Sequence, residues 1–304
     1  MSKTDFDIIV IGGGVAGLTA THHARLLGAD VLCLEAALHG GLVINVGELD
    51  GYPAAAPTSG AMLAAVLMGE NVDLGVELRD EAVTALADAN GLKTVTTADA
   101  TYTAQRVIVA TGAHLKKLDV AGEVAFTGRG VSQCAFCDAG FFVGQDVAVV
   151  GGGDAALQEA LHLAETCRTV TLVHRGDRLR ARASYVARAA GHPAFRFRWN
   201  SVVEEIAGGN GVEAIRLKDQ SSGAVEELAV AGVFVFVGLA PNTDGLPAAI
   251  GRDPAGALLT EATFETTMTG VYAVGAVRAG HGGRLTQTVG DATTAADAAV
   301  RSLA

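Results

Sequence analysis

The stretch FDIIVIGGGVAGLTA at 6–20 returns as QDVAVVGGGDAALQEA at 145–160, so the chain carries one strand–glycine–helix unit twice, 139 positions apart. In each copy an apolar run suited to a buried strand enters Gly-x-Gly-x-x-Gly/Ala, formed by Gly12, Gly14 and Gly17, then by Gly151, Gly153 and Ala156. A helical pattern follows each. The glycines permit a sharp turn and let a phosphate approach the helix start, where unpaired N–H groups favour an anion. A second strand ends about twenty residues further on in both copies, as a dinucleotide-binding unit requires. The pattern predicts two dinucleotide sites, with Val15 and Ala16 in the first turn of one and Asp154 and Ala155 in the other.

The second strands end differently. ADVLCLEA finishes at Glu35, followed by Ala36, whereas RTVTLVHRGDRLR reaches His174 at the equivalent position and runs into Arg175, Arg178 and Arg180. A carboxylate at that point accepts hydrogen bonds from ribose hydroxyls, while arginines pair with a 2′-phosphate. The first unit therefore suits an adenosine with a free ribose, and the second suits NADPH.

Between the units, VTALADANGLKTVTTADATYTAQRVIVATGA reads as a strand, an Asn90–Gly91 turn, a second strand and a buried strand ending at Thr111–Gly112. The second unit has a matching tail, FRFRWNSVVEEIAGGNGVEAIRLKD and then GVFVFVGLAPNTD. The last segments, GVYAVGAV and a helix predicted to start at Asp291 as its N-cap, are too little for a domain and must join an existing one. The expected fold is α/β, with two Rossmann-like dinucleotide-binding domains bearing small β-meanders. A discontinuous first domain, 1–116 plus 244–304, receives the second, 117–243, as an insertion.

A formal net charge of −11, with no basic stripe, opposes nucleic acid as a partner. The longest apolar runs fall short of the roughly 18 residues of a membrane span, and MSKTDFDIIVIGGG lacks the layout of a secretory signal, which leads us to expect a cytoplasmic protein. In a reducing compartment, four cysteines are not a disulfide framework. VSQCAFCDAGFF places Cys134 and Cys137 three residues apart at the start of a short helical pattern, where a thiol pKa is lowered. Zinc needs four ligands, and Cys33 in a strand and Cys167 at a helix end do not supply them, so no metal site is expected. Redox chemistry is the favoured use of the pair, ahead of an inert bridge.

Taken together, GRGVSQCAFCDAGFF, VVGGGDAALQEALHLA, HRGDRLRA, GLAPNTD and VYAVGAV resemble the bacterial, low-molecular-weight thioredoxin reductase family over nearly the full chain. The resemblance implies FAD in the first domain, NADPH in the second and likewise a homodimer. Electrons would pass from NADPH through FAD to Cys134/Cys137 and on to thioredoxin or a similar disulfide. Cys137 would face the flavin, Cys134 would form the mixed disulfide, and Asp138 would manage the thiol protons. The NADPH domain would swing about a hinge near 116–119 and 242–245. The implied FAD residues are Gly12, Gly14, Val15, Ala16, Gly17, Glu35, Ala36, Gly41, Asn45, Thr111, Gly112, Gly275, Ala276, Arg284, Leu285 and Thr286. Those for NADPH are Gly151, Gly153, Asp154, Ala155, His174, Arg175 and Arg180.

Departures from the family pattern gather around the flavin. Leu42 and Gly51 stand where the family has Gln or Ala and Asn, and Ala276 replaces the Asp that holds the ribityl chain. The Arg-Gln pair before the last helix is Gly283–Arg284, and Gly176 replaces an arginine of His-Arg-Arg. Asp291 is a candidate substitute for the missing carboxylate, although its reading as an N-cap is the favoured one. These changes keep open an alternative function, a dithiol oxidase delivering electrons to oxygen or a reductase with another electron donor.

Overall fold

The computed structural model describes residues 4–50, 52 and 58–303. Gly51 lies outside them. The chain divides into two compact units, Met1–His114 with Ala240–Ala304, and Leu115–Leu239.

The first unit begins with β1 (Phe6–Ile11), α1 (Val15–Leu26), β2 (Val31–Glu35), α2 (Gly60–Asp73) and β3 (Glu77–Asp80). It continues through β4 (Val83–Ala89), β5 (Leu92–Thr97) and β6 (Thr101–Val109), and leaves by β7 (Ala113–Leu115). The sheet order is β3-β2-β1-β6-β5-β4, parallel as far as β6 and antiparallel from there. Val10 lies in register with Cys33 on one side and Ile108 on the other, so β1 is central, and its unbroken apolar run is explained by burial on both faces. Asn90 and Gly91 both take positive φ, +57° and +88°, making the tight turn read from the sequence. The β6 strand ends at Val109, two residues before the expected Thr111–Gly112.

The second unit contains β8 (Val131–Ser132), α3 (Ala135–Asp138), β9 (Asp146–Gly151), α4 (Asp154–Leu163), β10 (Thr169–Val173) and α5 (Ala183–Gly191). Then come β11 (Phe195–Arg198), β12 (Ser201–Gly208), β13 (Val212–Asp219), β14 (Val225–Ala229) and β15 (Gly232–Phe236). A parallel sheet runs β11-β10-β9-β15-β8, and β12-β13-β14 form a separate antiparallel sheet. The meanders of the two units thus differ. At nine residues β6 pairs with β5 over its first part and with β1 over its last, whereas β15 has five residues and pairs only within the parallel sheet.

The chain re-enters the first unit along β16 (Leu239–Pro241), which pairs with β7; β17 (Val271–Ala273) then pairs with β6, and α6 (Leu285–Arg301) follows. Helix α6 buries Ala292, Ala295, Ala296 and Ala299 in one cluster with Ala16, Ala20 and Ala24 of α1. Small side chains on both faces let the helices approach closely. The expected start at Asp291 is corrected: the helix begins at Leu285 with Arg284 as N-cap, and Asp291 is a buried residue inside it. TQTVG is a poor helix sequence by propensity, but the alanine face packed on α1 overrides that.

Candidate active site

At the first glycine corner, a Cβ on Gly12 (φ +106°) would stand 2.4 Å from Ala110 O, and one on Gly17 would stand 1.7 Å from Gly12 O. The strand-to-helix turn is therefore too tight for side chains at either position. Gly14 caps α1 without a side chain, leaving the first N–H groups of Val15, Ala16 and their neighbours for an outside acceptor. Glu35 ends β2 against this loop: one carboxylate oxygen accepts from Gly13 N at 2.6 Å, the other from Ala37 N at 3.0 Å. Ala36 is exposed beside it.

Other segments converge on the same corner. Gly41 opens a turn of 3-10 helix through Asn45, and its Cβ position lies 3.2 Å from Gly14 Cα. Leu42 is exposed on that turn, while Leu285 packs with Val43 and Val15. A Cβ on Gly275 would touch Ala16 at 2.8 Å, placing the Gly275–Ala276 turn beside α1, and Arg284, Leu285 and Thr286 form the start of α6. Thr111 Oγ1 donates to Asn242 O at 2.6 Å, and Asn242 Nδ2 donates back to Thr111 O at 2.9 Å, with Gly112 following in positive φ.

One residue here was not found from sequence. His39 is buried with its ring over Gly13; its Nδ1 meets Asp80 at 3.2 Å, and its Nε2 has no partner among the described residues. An uncapped helix start, a glycine cradle, a ribose-type carboxylate and an orphaned buried ring nitrogen fit an adenine dinucleotide.

Ala276 provides no carboxylate, and Asp291 does not replace it. Asp291 Oδ2 is held by Arg278 Nη2 at 2.6 Å, both side chains nearly buried, with the guanidinium over the Phe264 ring. The suggested substitution is therefore corrected: this carboxylate is committed to an internal ion pair.

The second corner repeats the geometry with other charges. A Cβ on Gly151 would stand 2.5 Å from Phe236 O, while Gly153 caps α4 with open space around it. Asp154 at the helix start accepts from Arg182 N at 2.7 Å and faces Arg182 Nε at 3.0 Å; Ala155 is exposed. His174 is buried over Gly152, and burial first, then the Arg180 and Arg175 cations, lowers its pKa and favours the neutral ring. Arg180 N donates to Gly152 O at 2.8 Å, fastening the arginine run over the glycine turn. Arg168, Arg182 and Arg198 all meet carboxylates, but Arg175, Arg178 and Arg180 are exposed without an ion-pair partner among the described residues. Unmatched arginines beside an open, glycine-lined helix start fit a phosphorylated dinucleotide.

Cys134 and Cys137 form a disulfide with Cα atoms 5.3 Å apart. Cys134 is the N-cap of α3, its Sγ accepting from Cys137 N at 3.1 Å, and its own N–H donates to Ser132 Oγ at 3.0 Å. Cys137 is exposed, Cys134 half-buried, and Asp138 closes the turn with its N–H on Cys134 O at 3.2 Å. Sequence reading also missed Glu159 and His162 of α4: Glu159 Oε2 accepts from Ala135 N at 2.7 Å, and the His162 ring stacks on Phe136 at 4.6 Å. Their three-residue spacing on one helix face was visible, but nothing local tied it to a loop twenty-four residues earlier. Cys33 and Cys167 are buried free thiols; burial pushes Cys33 up to about 12.

Residues 6–299 match the Pyridine nucleotide-disulphide oxidoreductase family. The chain belongs to that family. It is 38% identical over 298 residues to the thioredoxin reductase of Treponema pallidum (98% of this chain, 97% of the relative), and 38% identical over 275 residues to that of Listeria monocytogenes (90% and 86%). Among solved structures it is similar to Lactococcus lactis thioredoxin reductase, with TM-score 0.94, 35% identity and 98% of both chains covered. Thioredoxin reductase from T. acidophilum gives 0.93 and 29%, covering 98% of this chain and 99% of that one. As a member of this family the chain is an FAD-binding enzyme that moves electrons between NADPH and a disulfide.

Proposed function

We propose that this enzyme reduces the disulfide of thioredoxin or a similar protein, with FAD held by the first unit, NADPH by the second, and Cys134/Cys137 as the redox pair. The observation that carries the reading is the Cys134–Cys137 disulfide at the head of α3, in the same compact unit as the arginine-flanked glycine turn. Bound FAD supplies acceptance of a hydride and its passage as an electron pair to a disulfide. The chain's own residues do the rest. Gly12, Gly14 and the start of α1 receive a pyrophosphate, and Glu35 orients the ribose. Arg175 and Arg180 hold the 2′-phosphate while neutral His174 keeps the loop packed.

In the reduced pair, the Cys134 thiolate attacks the substrate disulfide: a Cys134–substrate S–S bond forms, and the substrate's own bond breaks. Cys137 then attacks Cys134, reforming the intramolecular disulfide and releasing the second substrate thiol. Asp138, one residue beyond Cys137, takes and returns the thiol proton. The departures around the flavin, Leu42, Gly51, Ala276 and Gly283–Arg284, are what favour the dithiol-oxidase alternative, but they leave Arg175, Arg180 and the thiols in place. Similarity to named reductases over nearly the whole chain favours the reductase.

The reading includes a cytoplasmic homodimer, supported by resemblance to the bacterial thioredoxin reductases. Among the described residues, no helix is long and apolar enough to cross a membrane.

Anaerobic titration tests the reading: NADPH bleaches the flavin, oxidised thioredoxin restores it, and Cys134→Ser and Cys137→Ser keep the flavin but lose disulfide turnover. Bleaching by dithiols alone, or unchanged turnover in both variants, would overturn it.

A further inference from the structure

Glu159 sits on the face of α4 turned toward α3, directly beneath the start of the dithiol turn. Its carboxylate accepts the Ala135 N–H at 2.7 Å and is also faced by the Phe136 N–H. Those are the first two peptide donors after Cys134. The donor that reaches the capping sulfur is the next one, the Cys137 N–H, at 3.1 Å from Cys134 Sγ. Glu159 engages the two N–H groups ahead of it, and so sets a negative charge beside a helix start that would otherwise favour a thiolate.

Two further observations show that the site is built. Glu159 is substantially desolvated, and burial pushes its carboxyl above the usual range, while the two peptide N–H groups and nearby His162 pull it down. His162, one turn along α4, stacks on Phe136 between the cysteines, and its Nδ1 lies 3.5 Å from Glu165 Oε2. The titratable groups on or against the turn are thus Asp138 on α3 and Glu159 and His162 on α4, with Glu165 just beyond α4 meeting His162. Of these, Glu159 alone bonds the peptide that follows Cys134.

We propose that Glu159 is a positioning and electrostatic residue of the redox pair: it fixes the backbone of the dithiol turn and, by its negative charge, holds Cys134 less acidic than a helix-capping thiol would otherwise be. A second negative charge on Cys134 must form close to the first, so the reduced thiolate state is disfavoured and the disulfide favoured. The proposal rests on the dithiol being the working centre, as argued above. It adds a group outside the Cys-x-x-Cys-Asp segment that sets how readily the pair gives up electrons.

The test uses the FAD-loaded enzyme with its disulfide reduced by excess dithiol and the reagent removed, so it needs neither NADPH nor thioredoxin. The rate of alkylation of Cys134 by iodoacetamide is followed against pH, with the modified cysteine identified by peptide mass. Glu159→Gln keeps an acceptor oxygen for Ala135 N–H and removes the charge. Its alkylation midpoint should fall by about one pH unit, and the potential of the Cys134–Cys137 couple should move positive. Glu159→Asp, which keeps the charge, should stay nearer the parent enzyme than Glu159→Gln. An unmoved midpoint in Glu159→Gln, or an equal fall in both variants, overturns the proposal. If NADPH fails to bleach the flavin while the midpoint still falls, the reductase reading is lost and the role of Glu159 stands.

Discussion

Arg278 and Asp291 form a nearly buried ion pair at 2.6 Å, joining the turn after β17 to the second turn of α6. Arg278 also caps the ring of Phe264. Removing one partner strands the other charge, and for buried pairs that costs about 3–5 kcal/mol. Asp291→Ala and Arg278→Ala should each lower the urea midpoint of the apoprotein clearly, and the double variant should lose less than the sum of the two. Additive losses would mean that the pair does not couple. Because the pair anchors the turn carrying Ala276, both variants should also release flavin more readily, read from absorbance after gel filtration.

The Gly17 position admits no side chain. A Cβ there would stand 1.7 Å from Gly12 O, which is backbone and cannot swing aside. Gly17→Ala should force α1 away from β1 at a cost of about 1–3 kcal/mol, typical of overpacking, and the purified protein should carry little flavin. The matching change in the second unit, Ala156→Gly, should retain flavin, since that corner already accommodates a Cβ. Full flavin content in Gly17→Ala would contradict the tight corner.

The exposed arginines after His174 predict a nucleotide preference. Each charge-assisted contact to a 2′-phosphate contributes about 1.5–3 kcal/mol. Arg175→Ala and Arg180→Ala should therefore lower kcat/KM for NADPH by about 10- to 100-fold, and leave NADH turnover nearly unchanged. An equal fall with both nucleotides would show that the loop is needed only for shape.

How much of this could be read beforehand depended on how local each signal was. The duplicated corners were legible because the strand, the glycines, the helix and the end of the next strand all lie within about thirty residues. The capping position of Cys134 was legible for the same reason. The start of α6 was not: its first six residues have weak helix propensity, and they are helical because the alanines that follow pack on α1. Glu159 and His39 were invisible for a related reason. Each owes its place to tertiary packing, Glu159 beneath a loop twenty-four residues earlier and His39 over the glycine of a different turn. Asp291 was legible as a carboxylate near the flavin segment, but not as one already engaged by Arg278.

The fate of the other two cysteines bears on how the protein can be handled. Cys33 and Cys167 are buried, and burial raises the pKa of both. At neutral pH they stay protonated and shielded, so a thiol reagent added to the native chain meets only the Cys134–Cys137 pair. The chain therefore counts its own redox state: reagent uptake is near zero when the pair is oxidised and rises toward two equivalents when it is reduced. Simple thiol counting under native conditions becomes a direct gauge of how far the dithiol has been charged.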